Sequence, residues 1–425
     1  MVKHRYLLAL TLLTGVFASA HPLPNSVVGL SIHAHSISGT AKIPLIELET
    51  AAGIGHYAYS QDAKFRAYFV RHIVAITGAQ VWQTQIDSLE ILTAKDPTVG
   101  NYEQVRLHFQ LIPPGPADLR TFTFHYDAVI HQIVTHSIIV FLEQDWENGI
   151  QVEDRATLLG VIKMDRPTGK INPLEVNLEK GSWWKGFRSM VKLGMDHIAE
   201  GTDHLLFLLV LLLPAPLLVE RRQWTKFGGT RYSISRLVTI VTAFTIGHSL
   251  SLLLGALKWL VLPQQYVEVA IAMTIFITAV HAFQPLFSGK ESWIALGFGF
   301  IHGLAFSAVL SNLQLSIPEM ASSILGFNIG IELMQLFVLL CTVPWLLILS
   351  RYPAYQWVRM IGSLAAVSAS IAWMAERLTN QPNVIADGVD QLGREGKWIV
   401  GVLAVAALAS LVFSRRRASH KLSSS

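Results

Sequence analysis

The residues of this chain best suited to chemistry are histidines and acidic side chains inside apolar segments. One such stretch reads Asp196-His197-Ile198-Ala199-Glu200-Gly201-Thr202-Asp203-His204 and continues directly into an apolar run. On one continuous helix His197, Glu200 and His204 would share a face, because residues three and four positions apart are neighbours. Imidazole and carboxylate ligands together suit Ni²⁺, Co²⁺ or Zn²⁺. The stretch therefore predicts a divalent-metal site with His197, Asp203 and His204 as its first ligands.

Polar residues at similar depth in later apolar segments extend this set of candidate ligands. They are His248, Glu268, His302, Asn328 and Glu332. A charged side chain at the bilayer centre costs about 2.5–3.5 kcal/mol on insertion scales, so such residues are functional candidates. Glu200 and His281 are secondary candidates; His281 lies about 20 Å deeper than Glu268 at 1.5 Å per helical residue and would be an exit ligand. For any single histidine, a hydrogen bond between helices is the alternative explanation.

Composition excludes several classes of protein. The chain has 425 residues, of which 52% are hydrophobic and 15% charged, whereas soluble domains carry about 25% charged residues. A large part of the chain is therefore not in water. The net charge of +4 is too small to indicate nucleic-acid binding, and the single cysteine, Cys341, excludes a disulfide scaffold and any cysteine-based metal site. No phosphate-binding loop or dinucleotide-binding motif is present in the sequence.

Seven apolar segments after about residue 187 predict seven transmembrane helices. Each has roughly the twenty residues that a bilayer core requires. They lie at about 195–219, 236–257, 266–286, 292–311, 321–349, 356–376 and 396–414. Loops predicted to be cytoplasmic hold twelve basic residues and the external loops hold four, in agreement with the positive-inside rule. We expect a multi-pass protein of a bacterial cytoplasmic membrane, with a transmembrane domain at 181–414 and a basic cytoplasmic tail at 415–425.

The first twenty residues have the pattern of a secretory signal peptide. A basic start precedes a short apolar stretch, and Ala18-Ser19-Ala20 provides small residues at the cleavage positions. Cleavage there would make His21 the N-terminal residue, whose α-amine and imidazole could together chelate a metal ion. The alternative is that cleavage merely falls before a histidine. His21 is therefore a secondary metal candidate.

Residues 21–180 predict an extracytoplasmic β-sandwich-like domain. Residues 27–37, 104–112 and 120–142 alternate polar and apolar side chains, with many β-branched and aromatic residues. Turn-forming residues at Ser38-Gly39, Thr77-Gly78, Pro113-Pro114-Gly115 and Arg166-Pro167 separate the strands. If residues 124–131 are one strand, His125, Asp127 and His131 share a face. That face is either a metal site or a set of solvated histidines, and no protein partner of the domain is identified.

Four short motifs in the membrane part resemble those of known metal transporters. Residues 197–204 resemble the His-Pro-x-x-Gly-x-Asp-His motif that opens the membrane core of the HupE/UreJ family, with Ile198 in place of the proline. Residues 268–272 match the family's Glu-x-x-Ile-Ala segment, and residues 302–305 match part of its His-Gly-x-Ala-His segment, with Phe306 at the last position. Residues 244–249 are similar to the Phe-x-x-Gly-His-Ser segment of nickel/cobalt transporters.

The resemblance to the HupE/UreJ family covers roughly residues 190–345. That family is linked to hydrogenase and urease maturation and is regarded as a family of nickel or cobalt permeases. The short members lack the long exported domain, so the resemblance implies a divergent branch. It also implies that the metal ion is the substrate of the protein, with the lipid bilayer as its surroundings.

The leading hypothesis is a seven-span permease that passes Ni²⁺ or Co²⁺ inward. His197, Asp203 and His204 would form the outer ligand set, aided by Glu268. The central passage would be lined by His248, His302, Asn328 and Glu332. One alternative is an intramembrane hydrolase in which the same ligands hold Zn²⁺ and Glu332 or Glu268 is the general base. Another is a membrane-anchored metal sensor or interaction protein.

Overall fold

The computed structural model describes residues 25–53, 62–96, 99–116, 118–150, 156–312 and 315–422. The chain divides into two structural units, Met1–Lys180 and Gly181–Ser425. The predicted signal peptide and His21 lie outside the described residues.

The N-terminal unit is built on two β-sheets. In the larger sheet the strand order is β10-β9-β8-β1-β2-β6-β5. These strands are Lys170–Ile171, Thr157–Asp165, Ser137–Asp145, Ser26–Ile32, Ile37–Pro44, Gly100–Ile112 and Gln83–Asp96. The smaller sheet has the order β11-β7-β3-β4, formed by Leu174–Asn177, Thr121–Tyr126, Ile73–Thr77 and Gln80–Val81. Strand β1 pairs antiparallel with β2 on one side and parallel with β8 on the other.

Both sheets contribute to one hydrophobic core. Alternate residues of β6 and β8 are buried, as expected for strands with one face towards a core. Phe109 of β6, Phe124 of β7 and Val140 of β8 are fully buried in the same cluster. The prediction of a sheet-rich N-terminal domain is therefore confirmed.

Two helices in this unit were not predicted. They are α1, Leu45–Ala52, and α2, Asp62–His72. Phe65 and Phe69 lie one helical turn apart on α2 and are fully buried in the core with Leu48 of α1. The i, i+4 spacing of these two phenylalanines was the available signal for α2.

Two details of the predicted strands are wrong. Residues 27–37 are not one strand, because the backbone N–H of His33 bonds to the carbonyl of Ser36 in a turn between β1 and β2. Ser38-Gly39 is not a turn but part of β2. Gly39 is required there by the ring of Phe109, whose Cζ would lie 2.1 Å from an added Cβ.

His125, Asp127 and His131 do not share one strand face. Strand β7 ends at Tyr126, and the chain then turns, with Val129 at a φ of 71°. The turn instead brings Asp127 Oδ1 to 2.6 Å from His72 Nδ1 and stacks the His72 and His131 rings with centroids 4.4 Å apart. This cluster is not among the groups of described residues that could hold a metal ion.

The start of β1 is tied to two other elements by a buried histidine. His136 Nε2 accepts the backbone N–H of Ser26 at 3.2 Å and lies 2.7 Å from its Oγ. His136 Nδ1 lies 2.6 Å from Glu47 Oε2 on α1. The order hydroxyl, imidazole, carboxylate resembles a hydrolase triad. Because Ser26 is 0% exposed, we interpret the three residues as a structural link.

Alkaline pH is expected to destabilise the N-terminal unit through its buried tyrosines. Burial raises the pKa of the Tyr68 phenol from 10.0 to about 12, and burial also raises the pKa of Tyr126. The unfolded chain therefore loses these protons at lower pH than the folded unit does. The stability contributed by the neutral Tyr68 phenol is complete below pH 10 and is lost as the pH rises towards 12.

Urea unfolding of the full chain at a series of pH values, followed with tyrosinate absorbance, measures this effect. Tyr68→Phe should show a smaller decline in the urea midpoint above pH 10 than the wild type, because phenylalanine has no proton to lose. An equal decline in both proteins would contradict the assignment to Tyr68.

The C-terminal unit is helical. Its helices are α3 Trp183–Glu200, α4 Thr202–Leu212, α5 Thr230–Ala256, α6 Gln264–Phe283, α7 Glu291–Asn312, α8 Ile317–Leu349, α9 Tyr355–Thr379, α10 Val384–Arg394 and α11 Gly396–Leu422. A β-hairpin of β12, Leu217–Glu220, and β13, Gln223–Phe227, lies between α4 and α5. Helix α11 continues into the segment predicted as a separate tail at 415–425.

Within the described residues, four helices are long and apolar enough to cross a membrane. They are Thr230–Ala256, Gln264–Phe283, Ile317–Leu349 and Tyr355–Thr379. The pair Val384–Gly393 and Trp398–Val412, bent by 72°, would be a fifth if it is one span. The C-terminal unit is therefore that of a membrane protein.

The first predicted span, 195–219, is not one continuous helix. Gly201 adopts extended backbone angles, φ −74° and ψ 93°, and separates α3 from α4. Glycine has a low helix propensity, which makes it a favourable position for such a break. Residues 217–219 belong to the hairpin. Helix α4 has only 11 residues, about 16 Å of rise against a bilayer core of about 30 Å.

Glycines allow two helix pairs to approach closely. A Cβ on Gly247 of α5 would lie 1.9 Å from the carbonyl oxygen of Leu296 on α7. A Cβ on Gly330 of α8 would lie 2.0 Å from the carbonyl oxygen of Val191 on α3. Small residues at helix contacts are typical of membrane proteins. These crossings bring α5 against α7 and α3 against α8, which positions the polar residues described next.

Candidate metal centre

Four histidines and one aspartate from four helices meet inside the C-terminal unit. This histidine centre consists of His197 of α3, Asp203 and His204 of α4, His248 of α5 and His302 of α7. The ring centroid of His204 lies 4.7 Å from that of His197, 4.9 Å from that of His302 and 6.3 Å from that of His248. His248 and His302 are 0% exposed and His204 is 6% exposed.

The histidine centre contains two overlapping sets of three possible metal ligands. One set is His197, His204 and His248, and the other is Asp203, His204 and His302. Within each set, one ligand atom from every residue lies within 4.8 Å of the other two. His204 belongs to both sets, so one imidazole could serve an ion in either position.

Several nitrogen atoms of the histidine centre are buried without a hydrogen-bond partner. They are Nε2 of His197, Nε2 of His204, both ring nitrogens of His248 and Nδ1 of His302. A neutral imidazole has one N–H donor and one lone pair, and an unsatisfied buried polar group costs about 1–3 kcal/mol. A bound divalent cation would give several of these lone pairs a partner at once. The donor set therefore fits a metal ion such as Ni²⁺, Co²⁺ or Zn²⁺.

Asp203 orients the shared histidine. Its Oδ1 lies 2.8 Å from His204 Nδ1 and accepts the backbone N–H of His204, also at 2.8 Å. A carboxylate beside one ring nitrogen favours the N–H at that position and leaves the other nitrogen as the metal ligand. Nε2 of His204 is the nitrogen that remains buried and unpartnered. The break at Gly201 makes this geometry possible, because it places Asp203 in the first turn of a new helix.

A polar cavity of about 270 Å³ adjoins the histidine centre. Its wall includes Glu200, Thr202, Asp203, Glu268, Trp373, Arg377 and Asp390. Asp203, whose side chain is 33% exposed, belongs to both the cavity and the centre. The four carboxylates of this wall outnumber its single guanidinium, that of Arg377, so the cavity is attractive to cations.

Glu200 and Glu268 lie in the cavity wall and outside the candidate ligand sets. The break at Gly201 places His204 on α4, whereas His197 and Glu200 remain together on α3, so the predicted face shared by all three does not form. Glu268 Oε2 pairs with Arg377 Nε at 2.7 Å, and its Oε1 accepts a hydrogen bond from Gln264 at 2.9 Å. The sequence analysis missed this salt bridge, because Arg377 is one of the four basic residues predicted to lie in the external loops.

Asn328 and Glu332 both lie on α8. The side-chain amide of Asn328 lies beside His248 and donates to the carbonyl of Ile324 at 2.7 Å. Its Oδ1 is buried without a partner, so this oxygen is available to an ion. Glu332 lies one turn further along α8, is partly buried, and belongs to neither ligand set.

His281 has a different environment from the other membrane histidines. Its Nδ1 accepts the backbone N–H groups of Leu286 at 3.0 Å and Phe287 at 3.4 Å, and its ring stacks on Phe287 with centroids 3.8 Å apart. Its Nε2 lies 4.0 Å from Glu291 Oε1. The lone pair that an exit ligand needs is thus used by the backbone, and we interpret His281 as a cap at the end of α6.

Two phenylalanines form an apolar wall beside the histidine centre. Phe306 stacks on Phe327 with ring centroids 4.2 Å apart, and its centroid lies 4.9 Å from that of His197. The Phe306 position, at which the resemblance predicted a second histidine, therefore does face the site. Its ring cannot bind the ion through a nitrogen, but it excludes water from that side.

These features define a membrane protein with several apolar helices and a buried histidine–aspartate centre that could hold a divalent metal ion. Residues 174–377 match the family described as HupE / UreJ protein. This segment contains the whole histidine centre, and the match agrees with the resemblance that the motifs indicated. The comparisons with curated proteins and with solved structures found no match.

Proposed function

We propose that this protein carries a divalent transition-metal ion, Ni²⁺ or Co²⁺, across the membrane through the histidine centre. The HupE/UreJ family is associated with nickel and cobalt transport. The observation that carries the proposal is the convergence of buried, unpartnered ring nitrogens from four histidines beside one carboxylate.

The two ligand sets support movement rather than permanent retention of the ion. An ion held by Asp203, His204 and His302 can exchange the first and third of these ligands for His197 and His248. His204 stays bound during the exchange, so the ion does not return to a fully uncoordinated state. Most of the ligands are neutral, so the negative charge around the ion is small and the ion is able to leave.

The acidic cavity is the proposed approach to the centre. Glu200, Glu268 and Asp390 attract a hydrated cation, and Asp203 is the first ligand that it meets inside. At that point carboxylate and imidazole ligands replace water molecules of the hydration shell. Beyond the centre, Asn328 provides an oxygen ligand beside His248, and Glu332 continues the polar path along α8.

The proposed topology has seven crossings, the first of which is the broken pair α3 and α4. Broken helices at ion sites are typical of transporters, because unwound backbone is tolerated where it lines a cavity. The N-terminal unit lies outside a bacterial cytoplasmic membrane and the C-terminus inside, as the basic loops indicate. The sequence contains no phosphate-binding loop, and the proposed inward step is gradient-driven or facilitative.

Flux measured with purified protein tests this function against a fixed-metal enzyme. Full-length protein in proteoliposomes that contain a metal-sensitive dye should admit Co²⁺ or Ni²⁺ faster than protein-free liposomes. Metal analysis of the same preparation should find weakly held ions. One tightly retained Zn²⁺ per chain without flux would contradict transport. It would favour a hydrolase with a resident metal, because a catalytic zinc site holds its ion and keeps one coordination position open.

A further inference from the structure

A threonine outside the histidine centre contacts one of its ligands. Thr274 lies on α6, which contributes no member of the histidine centre, and is 2% exposed. Its Oγ1 lies 2.9 Å from His302 Nε2 and 2.7 Å from the carbonyl oxygen of Ile271. His302 is 0% exposed, so water cannot replace this contact.

The positions of the protons in this contact follow from the two distances. A threonine hydroxyl has one proton to donate and two lone pairs to accept with. The carbonyl of Ile271 has no proton, so the 2.7 Å contact requires the Thr274 proton between the two oxygen atoms. Thr274 Oγ1 can then only accept from His302, and Nε2 of His302 must carry the ring proton. In the neutral ring this leaves the lone pair on Nδ1.

Nδ1 of His302 is the nitrogen available to the metal set. It is buried and has no hydrogen-bond partner, and His302 belongs to the ligand set with Asp203 and His204. In the other tautomer, Nδ1 would carry a proton and could not bind a cation. The hydroxyl on α6 therefore selects the tautomer that a metal ligand needs.

We propose that Thr274 is a positioning residue that holds His302 in the Nε2–H tautomer and directs its Nδ1 to the metal ion. The inference rests on the proposed function, because it needs an ion at the histidine centre. Partners that orient metal-bound histidines in this way typically contribute 10–100-fold to metal affinity. Sequence analysis missed Thr274, since a threonine in an apolar helix has no distinctive pattern.

Two substitutions of Thr274 distinguish the effect of its hydroxyl from the effect of its side-chain shape. Thr274→Val keeps the branched side chain and removes the hydroxyl, while Thr274→Ser keeps the hydroxyl. The matched control is Thr278→Val, one turn further along α6, where the side chain is also buried and its hydroxyl donates to the carbonyl of Thr274 at 2.8 Å rather than bonding to a histidine. Co²⁺ binding to each full-length protein in detergent is measured by calorimetry.

We expect Thr274→Val to lower the Co²⁺ affinity about 10–100-fold, and Thr274→Ser and Thr278→Val to bind as the wild type does. In metal-free protein with labelled histidine, the ring-nitrogen NMR signals of His302, assigned with His302→Gln, should show one tautomer in the wild type and a mixture in Thr274→Val.

Wild-type affinity and a single tautomer in Thr274→Val would overturn the inference while leaving the metal site intact. An equal loss in Thr278→Val would overturn it as well, because the effect would then be a general loss of helix packing. Absence of Co²⁺ and Ni²⁺ binding by the wild type would instead overturn the proposed function itself.

Discussion

Replacing His204 by alanine is expected to abolish metal uptake. His204 belongs to both ligand sets of the histidine centre, so its removal leaves only two ligands in each. His302→Ala removes a ligand from one set and leaves His197, His204 and His248 together. We therefore expect uptake of Co²⁺ to fall to background in His204→Ala and to fall only partly in His302→Ala. Initial uptake rates into proteoliposomes, at matched protein content, measure the difference.

His35→Ala is the control for the loss of a histidine. His35 is exposed in the N-terminal unit and lies in no ligand set, so its variant should transport as the wild type does. Uptake by His204→Ala at the wild-type rate would show that the ion does not pass through the shared ligand. Equal loss in His204→Ala and His302→Ala would contradict the two-set arrangement, since it would require a single site that needs every ligand.

Replacing Arg120 by alanine is expected to cause a large loss of stability in the N-terminal unit. Arg120 pairs with Asp145 through two hydrogen bonds, of 2.7 and 2.9 Å, and with Glu147 Oε2 at 2.7 Å. Hydrogen bonding to Asp145 raises the pKa of the Arg120 guanidinium. The Asp145 side chain is only 1% exposed, so it would keep a buried charge with the amide of Asn148 as a remaining donor. Removing one member of a buried ion pair costs about 3–5 kcal/mol.

This loss is measured by hydrogen exchange of the full-length protein. The reporters are the backbone amides of β6 and β8 that pair within the larger sheet. Exchange through global unfolding of the unit should accelerate by the factor that corresponds to the lost free energy. Arg166→Ala is the matched control, because Arg166 is exposed in the turn between β9 and β10. Exchange in Arg120→Ala as slow as in Arg166→Ala would contradict the role assigned to the ion pair.

The members of the histidine centre could be predicted from the sequence because they are conspicuous by residue type. A histidine or aspartate inside an apolar segment is costly wherever it lies, so position and type alone made His197, Asp203, His204, His248 and His302 candidates. Their depth along each segment also follows from the rise of a helix. Neither argument needs to know how the helices pack.

The errors arose where the argument assumed continuous regular structure. The face shared by His197, Glu200 and His204 requires one unbroken helix, and the break at Gly201 puts His204 on a different helix from the other two. The face shared by His125, Asp127 and His131 requires one unbroken strand, and the turn after Tyr126 replaces it with a contact between Asp127 and His72. Periodicity describes an element only between its ends, and its ends depend on surrounding contacts.

Several roles depend on contacts between residues distant in sequence. The pairing of Glu268 with Arg377 and the hydrogen bond from His302 to Thr274 are of this kind. No spacing rule within a single helix identifies such partners. The sequence by itself determined the division into a sheet-rich part and a membrane part, and the candidate ligands, because the cost of burying a side chain depends on its type. The tertiary structure decided which lone pairs meet around an ion, because the distances between helices depend on contacts such as those at Gly247 and Gly330.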